Sequence, residues 1–154
     1  MKFALQIVVI SFFACMAKTG KTLSNSPTNP LFGTWQLVSG TIIEKGDTSV
    51  TNYTNNKTSF LKIINNTHFA YLKHDLNKGK DSTAVFVSGG GSYSLKDSSY
   101  KEHLEFCSAR NWEGNDFDFT IKIEYDTLIQ SGVEKVADAA VDRVNIERYI
   151  RVKK

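Results

Sequence analysis

Phe117, Phe119, Ile121, Ile123 and Tyr125 alternate without a break with Asp118, Thr120, Lys122 and Glu124. A period of two sustained this long belongs to a β-strand with one face in a core and the other in water. No proline follows Pro30, so nothing downstream forbids long paired strands. The same period recurs along the chain. Trp35, Leu37 and Ser39 alternate with Gln36, Val38 and Gly40 in a strand running to Glu44, closed by Lys45-Gly46-Asp47. Asn52 to Lys57 is a polar loop. Thr58 to Ile64 and His68 to Lys73 then form a hairpin about Asn65-Asn66. After a second polar loop, Asp75 to Ser82, Ala84 to Ser88 and Gly91 to Leu95 are strands meeting at Gly89-Gly90-Gly91, where a bulge or sharp bend is expected. Lys96 to Ser99 turns into a strand from Tyr100 to Cys107, and Leu128 to Val133 and Val141 to Val152 complete the series. Only Val133 to Ala140 offers a helical turn or two. About eight to ten short strands at hairpin spacing predict an all-β antiparallel domain, either a closed up-and-down barrel or a sandwich.

The 154 residues suffice for one domain, and the 41% apolar content supports a real core. With 19 Lys and Arg against 16 Asp and Glu, the formal charge is only +3, and no basic run supplies a stripe for a phosphate backbone. Nucleic acid is therefore not an expected partner.

The N-terminus departs from this pattern. Lys2 precedes an apolar run from Phe3 to Met16, followed by Lys18-Thr19-Gly20-Lys21-Thr22, the order of a secretory signal. Residues 1–17 are predicted to be that signal, 18–30 a polar tether carrying Pro27 and Pro30, and 31–154 the folded domain. Two processing routes compete. Cleavage after Ala17 leaves small residues at Cys15 and Ala17, whereas Phe12-Phe13-Ala14-Cys15 partly resembles a lipobox, with Cys15 as a lipid-modified N-terminus. The expected location is outside the cytoplasm, periplasmic or extracellular, with Cys15 as the one route to an outer-membrane anchor. Cys107 then lacks a disulfide partner and is expected to be a buried thiol on a strand.

Tests for catalytic and cofactor motifs fail. Gly20-Lys21-Thr22 has Cys15 where a phosphate-binding loop needs its first glycine, and Gly89-Gly90-Gly91 has neither dinucleotide spacing nor a following helix. His68, His74 and His103 lack metal spacing; His103 and Glu105 share a strand face but make only two ligands. Asn111 to Asp116 does not fit a calcium loop, and no Gly-x-Ser-x-Gly elbow occurs. No cofactor or metal is expected and no catalytic motif is found, which leaves an isomerase or hydrolase using Glu102 as an acid or base as a third reading behind two non-catalytic ones.

Leu31-Phe32-Gly33-Thr34-Trp35 resembles the Gly-x-Trp opening of lipocalin-like families. Phe69-Ala70-Tyr71, the run Gly89 to Leu95 with Tyr100 to Phe106, and Glu147 to Val152 extend the likeness to small exported bacterial lipocalin-like proteins. The resemblance implies a barrel with a ligand-binding mouth, closed at the far end by Trp35, with Arg151 as the basic residue stacked on it. The long second and third lipocalin motifs are not recognisable.

One residue breaks its strand's pattern. Tyr100, Leu104 and Phe106 put the dry face on even positions, and Glu102 shares it, so its carboxylate must be solvated, paired, protonated or ligand-facing. In the last strand, Val144, Ile146, Ile150 and Val152 argue for even positions inward, while the resemblance argues for Glu147, Tyr149 and Arg151; we follow the resemblance. The expected pocket is Tyr71, Tyr93, Glu102, Phe106 and Tyr149, holding a small, partly apolar molecule. The alternative is a non-catalytic interaction module of the cell envelope whose barrel is filled by side chains, because Trp35, Phe69, Phe117, Phe119 and their neighbours are large enough to occupy a small barrel.

Overall fold

The computed structural model describes residues 29–54, 57–80 and 82–153. The expected signal, Cys15 and the tether up to residue 28 lie outside the described residues. The described chain forms nine strands: β1 (Gly33–Glu44), β2 (Asp47–Asn52), β3 (Thr58–Ile64), β4 (His68–Asp75), β5 (Phe86–Lys96), β6 (Ser99–Cys107), β7 (Asp116–Glu124), β8 (Thr127–Val136) and β9 (Val141–Arg151). Every pairing is antiparallel. From β3 to β9 each strand pairs with the next, and β1 pairs with both β3 and β9, which closes eight strands into an up-and-down barrel. β2 stands outside the ring, paired with β1 alone. The barrel, rather than the sandwich, is the arrangement formed.

Tight turns set the meander. Lys45-Gly46, Asp97-Ser98 and Tyr125-Asp126 are two-residue connections, with positive φ at Lys45, Gly46, Asp97 and Tyr125, as turns matched to the strand twist require. Tyr125 was expected to extend the dry face of its strand. It is instead fully exposed, because the chain has already entered the turn at φ 53°. Phe117, Phe119 and Ile121 do face inward and are buried.

Two bulges reverse the inside–outside parity. On β1, Leu37 pairs with Tyr149 and Ser39 with Arg148, leaving Val38 unpaired. Beyond it Gly40 and Ile42, not Ser39, face the interior, and the freed Val38 carbonyl accepts the Tyr53 N–H at 3.0 Å. On β6, Gly90 pairs with Phe106 and Gly91 with Leu104, leaving Glu105 unpaired. The break expected in the glycine run thus lies in the opposite strand, while β5 runs through the glycines without interruption. The Glu105 carboxylate accepts the Ser92 N–H at 2.9 Å, and hydrogen bonding to Ser92, through its side chain first and then this N–H, holds the Glu105 pKa below the usual range.

One end of the barrel is plugged. Trp35 is fully buried, and its indole N–H donates to the Leu31 carbonyl at 2.9 Å. Burying ~150–250 Å² of aromatic surface contributes roughly 4–6 kcal/mol at about 25 cal/mol per Å². The Arg151 guanidinium lies 4.0 Å from the centre of the Trp35 ring and donates to the carbonyls of Phe32 (2.7 Å) and Pro30. Gly33, at φ 139°, leaves it room: a Cβ there would lie 2.7 Å from a guanidinium nitrogen.

Candidate functional site

Above this plug the barrel is hollow. A cavity of about 470 Å³ extends toward the end that carries the loops between β2 and β3, β4 and β5, and β6 and β7. Large side chains fill the barrel next to the plug and line the wall above it, around the open space. The filled interior posed as the alternative is therefore not what the chain builds.

The cavity floor is a layer of buried polar groups. Lys62 on β3, 3% exposed, forms an ion pair with Glu102 on β6 and donates to Gln130 on β8 at 2.7 Å. Its ammonium also lies 5.2 Å from the ring centre of Phe69, 5.4 Å from Tyr100 and 5.9 Å from Tyr149. Beside this cluster, Glu134 on β8 accepts from both Nε and Nη2 of Arg143 on β9 at 2.7 Å and from the Asn145 amide at 2.7 Å. Glu147, the next inward residue of β9, accepts one hydrogen bond, from the Tyr149 hydroxyl at 2.7 Å. Burial raises the Glu147 pKa, against the opposing pull of Lys62 and of that hydroxyl. Tyr149 is in turn pushed well above the ordinary tyrosine range by burial and by Glu147.

The upper wall is aromatic. Tyr53 meets Phe60 edge-on with ring centres 6.0 Å apart, and Phe60 stacks on Tyr71 at 5.9 Å with the rings 9° from parallel. The Tyr71 hydroxyl contacts the Cys107 sulfur at 3.2 Å, and burial, followed by this contact, raises its pKa. Gly89, paired with Tyr71 across the sheet, is required here because a Cβ would collide with the Tyr71 ring and hydroxyl. Trp112, in a 3₁₀ turn between β6 and β7, packs 5.9 Å from Phe117 and under the Arg143 guanidinium at 5.5 Å. Glu113 fixes that loop by accepting the Cys107 N–H at 2.8 Å.

Of the five residues expected to form the pocket, Tyr71, Glu102 and Tyr149 line the cavity. Phe106 does not. The Glu105 bulge turns it outward, where it is 66% exposed, and Cys107 takes the inward place. Tyr93 is also displaced: its hydroxyl donates to the Asn65 carbonyl at 2.6 Å beside the β3–β4 turn, and its ring lies against Tyr100, below the cavity. Odd positions of β9 face inward, which brings Asn145 and Glu147 to the wall and Arg151 to the plug. His103 and Glu105 do not converge, since His103 bonds Asp116 at 2.8 Å and Glu105 caps Ser92. Cys107 is a buried free thiol.

Sequence reasoning missed Lys62, Gln130 and Glu134, and it turned Glu147 inward without assigning it to the pocket. For the first two a signal was present: Lys62 shares the parity of Phe60 and Ile64, and Gln130 that of Leu128, so each breaks a dry face as Glu102 does. No protein-family model matches this chain, and no curated protein matches it.

Proposed function

We propose that the protein is an exported, lipocalin-like binding protein that holds a small, partly apolar ligand in the mouth of its barrel. The observation that carries this reading is the 470 Å³ cavity, whose wall combines stacked rings with a few fixed polar groups. Small-molecule sites have this composition and volumes of roughly 300–1,000 Å³. Two of the interior acid–base pairs are committed to each other: Lys62 is held by Glu102 and Gln130, and Arg143 by Glu134, which favours binding over catalysis by these four charges. The likeness of Leu31 to Trp35 and of the closing strand to lipocalin-like proteins supports the same reading, as does the stacking of Arg151 on Trp35. Export rests on the charged-then-apolar N-terminus.

Native mass spectrometry of the full chain expressed in a bacterial host tests the proposal. The expected result is a processed polypeptide carrying a small molecule that gentle activation releases. A processed chain that stays at its bare mass, and takes up no member of a library of small aromatic and aliphatic compounds, would contradict it.

A further inference from the structure

Six formally charged side chains line the cavity: Lys62, Lys73 and Arg143 against Glu102, Glu134 and Glu147. Four of them pair off, Lys62 with Glu102 and Arg143 with Glu134. Lys73 and Glu147 remain, and among the described residues neither has an ion-pair partner. Both are half-buried. The Lys73 ammonium on β4 lies 5.6 Å from the Tyr53 ring, which already gives the cation a partner. Glu147 lies inside the barrel, opposite Gly40 across the β1–β9 pair, and its single hydrogen bond comes from Tyr149. An ionised carboxylate partly withdrawn from water, with no ion-pair partner of its own, gains from a cation that joins it.

The barrel shows how it accommodates an interior ammonium: Lys62 is bound by one carboxylate, one amide oxygen and the faces of three rings. Around Glu147 the same materials recur. Tyr53 lies next to it over Gly40, with 3.6 Å between the ring edge and where a Cβ would stand, and the Val38 bulge carbonyl fixes the Tyr53 backbone. Phe60 and Tyr71 continue the aromatic wall. We propose that the ligand is a small organic cation, an amine on an apolar body, whose ammonium pairs with Glu147 against the Tyr53 ring while its body lies along Phe60 and Tyr71. This rests on the binding reading above and names its ligand class. The raised Glu147 pKa agrees with it: burial disfavours the bare carboxylate there, and a bound cation would offset that. The other ionisable groups lining the cavity with Glu147 are Lys62 from β3, Tyr71 and Lys73 from β4, Glu102 and Cys107 from β6, Glu134 from β8, Arg143 and Tyr149 from β9 and Tyr53 after β2.

The test is a fluorescence titration of the full chain at pH 8 with three probes of matched size: 2-(1-naphthyl)ethylamine, 2-(1-naphthyl)ethanol and 1-naphthylacetate. The amine should bind about tenfold or more tightly than the alcohol, the margin that one charge-assisted hydrogen bond supplies. Glu147→Gln should reduce the amine to the affinity of the alcohol and leave the alcohol unchanged, which also shows that the cavity is intact. In the wild type the amine's advantage should shrink as the pH is lowered and Glu147 keeps its proton; this arm stands even where the variant does not fold. Equal binding of amine and alcohol at pH 8 would overturn the cation assignment while leaving a binding cavity. Tightest binding by the acid, lost in Lys73→Met, would overturn it in favour of an anion site. Failure of all three probes to bind would count against the binding reading itself.

Discussion

Lys62 and Glu102 hold each other inside the barrel, and parting them is costlier than removing both. Lys62→Met leaves the Glu102 carboxylate buried with no cation, a loss of roughly 3–5 kcal/mol. The double variant Lys62→Met with Glu102→Leu removes both charges and should recover most of that loss. Urea denaturation of the wild type and the two variants checks this, and a double variant no better than the single would contradict it. At the plug, Trp35→Ala should cost roughly 3–5 kcal/mol through the cavity it leaves. Arg151→Ala should cost less, because stacking on the indole contributes about 0.5–2 kcal/mol. Glu147 adds a pH dependence whose sign is fixed. Its folded pKa lies above the unfolded value of about 4.3, so the folded state holds the proton more tightly. The stability this gives is complete below about pH 4.3 and is lost as the pH rises through the folded pKa. Glu147→Gln should remove that decline from a plot of Tm against pH.

Among the elements, β5 and β6 depend on each other most closely. A Cβ on Gly91 would lie 2.7 Å from the backbone nitrogen of the bulged Glu105 and would collide with the His103 carbonyl. Gly91→Ala should therefore destabilise by roughly 1–3 kcal/mol, as overpacking against a rigid backbone does. Thermal denaturation reads this directly, and a neutral outcome would mean that the bulge can relax. The same bulge shows where sequence reasoning stops. The alternation of Phe117 to Ile123 is legible because neither bulge falls on that strand, and β3 runs over the residues expected, Thr58 to Ile64. At Val38 and Glu105 one extra residue inverts the faces, so Phe106 goes outside and Gly40 and Ile42 come in. β2 was invisible for another reason. Val50 is the only apolar residue of Asp47–Asn52, the strand buries nothing, and only the ladder to β1 holds it. On β9 both faces carry apolar side chains, with Val144, Ile146 and Ile150 outside against Tyr149 inside, and pattern alone cannot choose between them. The site was legible in part for the same reasons. Glu102 stood out against a dry face, while Glu134 and Glu147 lie on strands whose two faces are alike.

For the whole molecule, closure by β1 pairing with both β3 and β9 makes the interior one enclosed space, so the plug at one end leaves the loop-bearing end as the approach to the cavity. The reading of an exported barrel predicts a mature chain beginning near Lys18, or at Cys15 with acyl groups attached. N-terminal sequencing and the partition of Cys15→Ser between membrane and soluble fractions separate the two routes; unprocessed chain in the cytosol would contradict both. The central claim is that the space above the Lys62 layer is a binding cavity rather than slack packing. Val87 lines its upper wall, half-buried, and Val87→Trp would place an indole across the mouth without removing any of the buried ion pairs. The most direct measurement is the equilibrium binding of 2-(1-naphthyl)ethanol to the wild type and to this variant, with circular dichroism to confirm the fold. The account predicts saturable binding at one site in the wild type and its loss in a folded Val87→Trp barrel. Binding of equal strength in both proteins would place the probe outside the barrel and contradict the account.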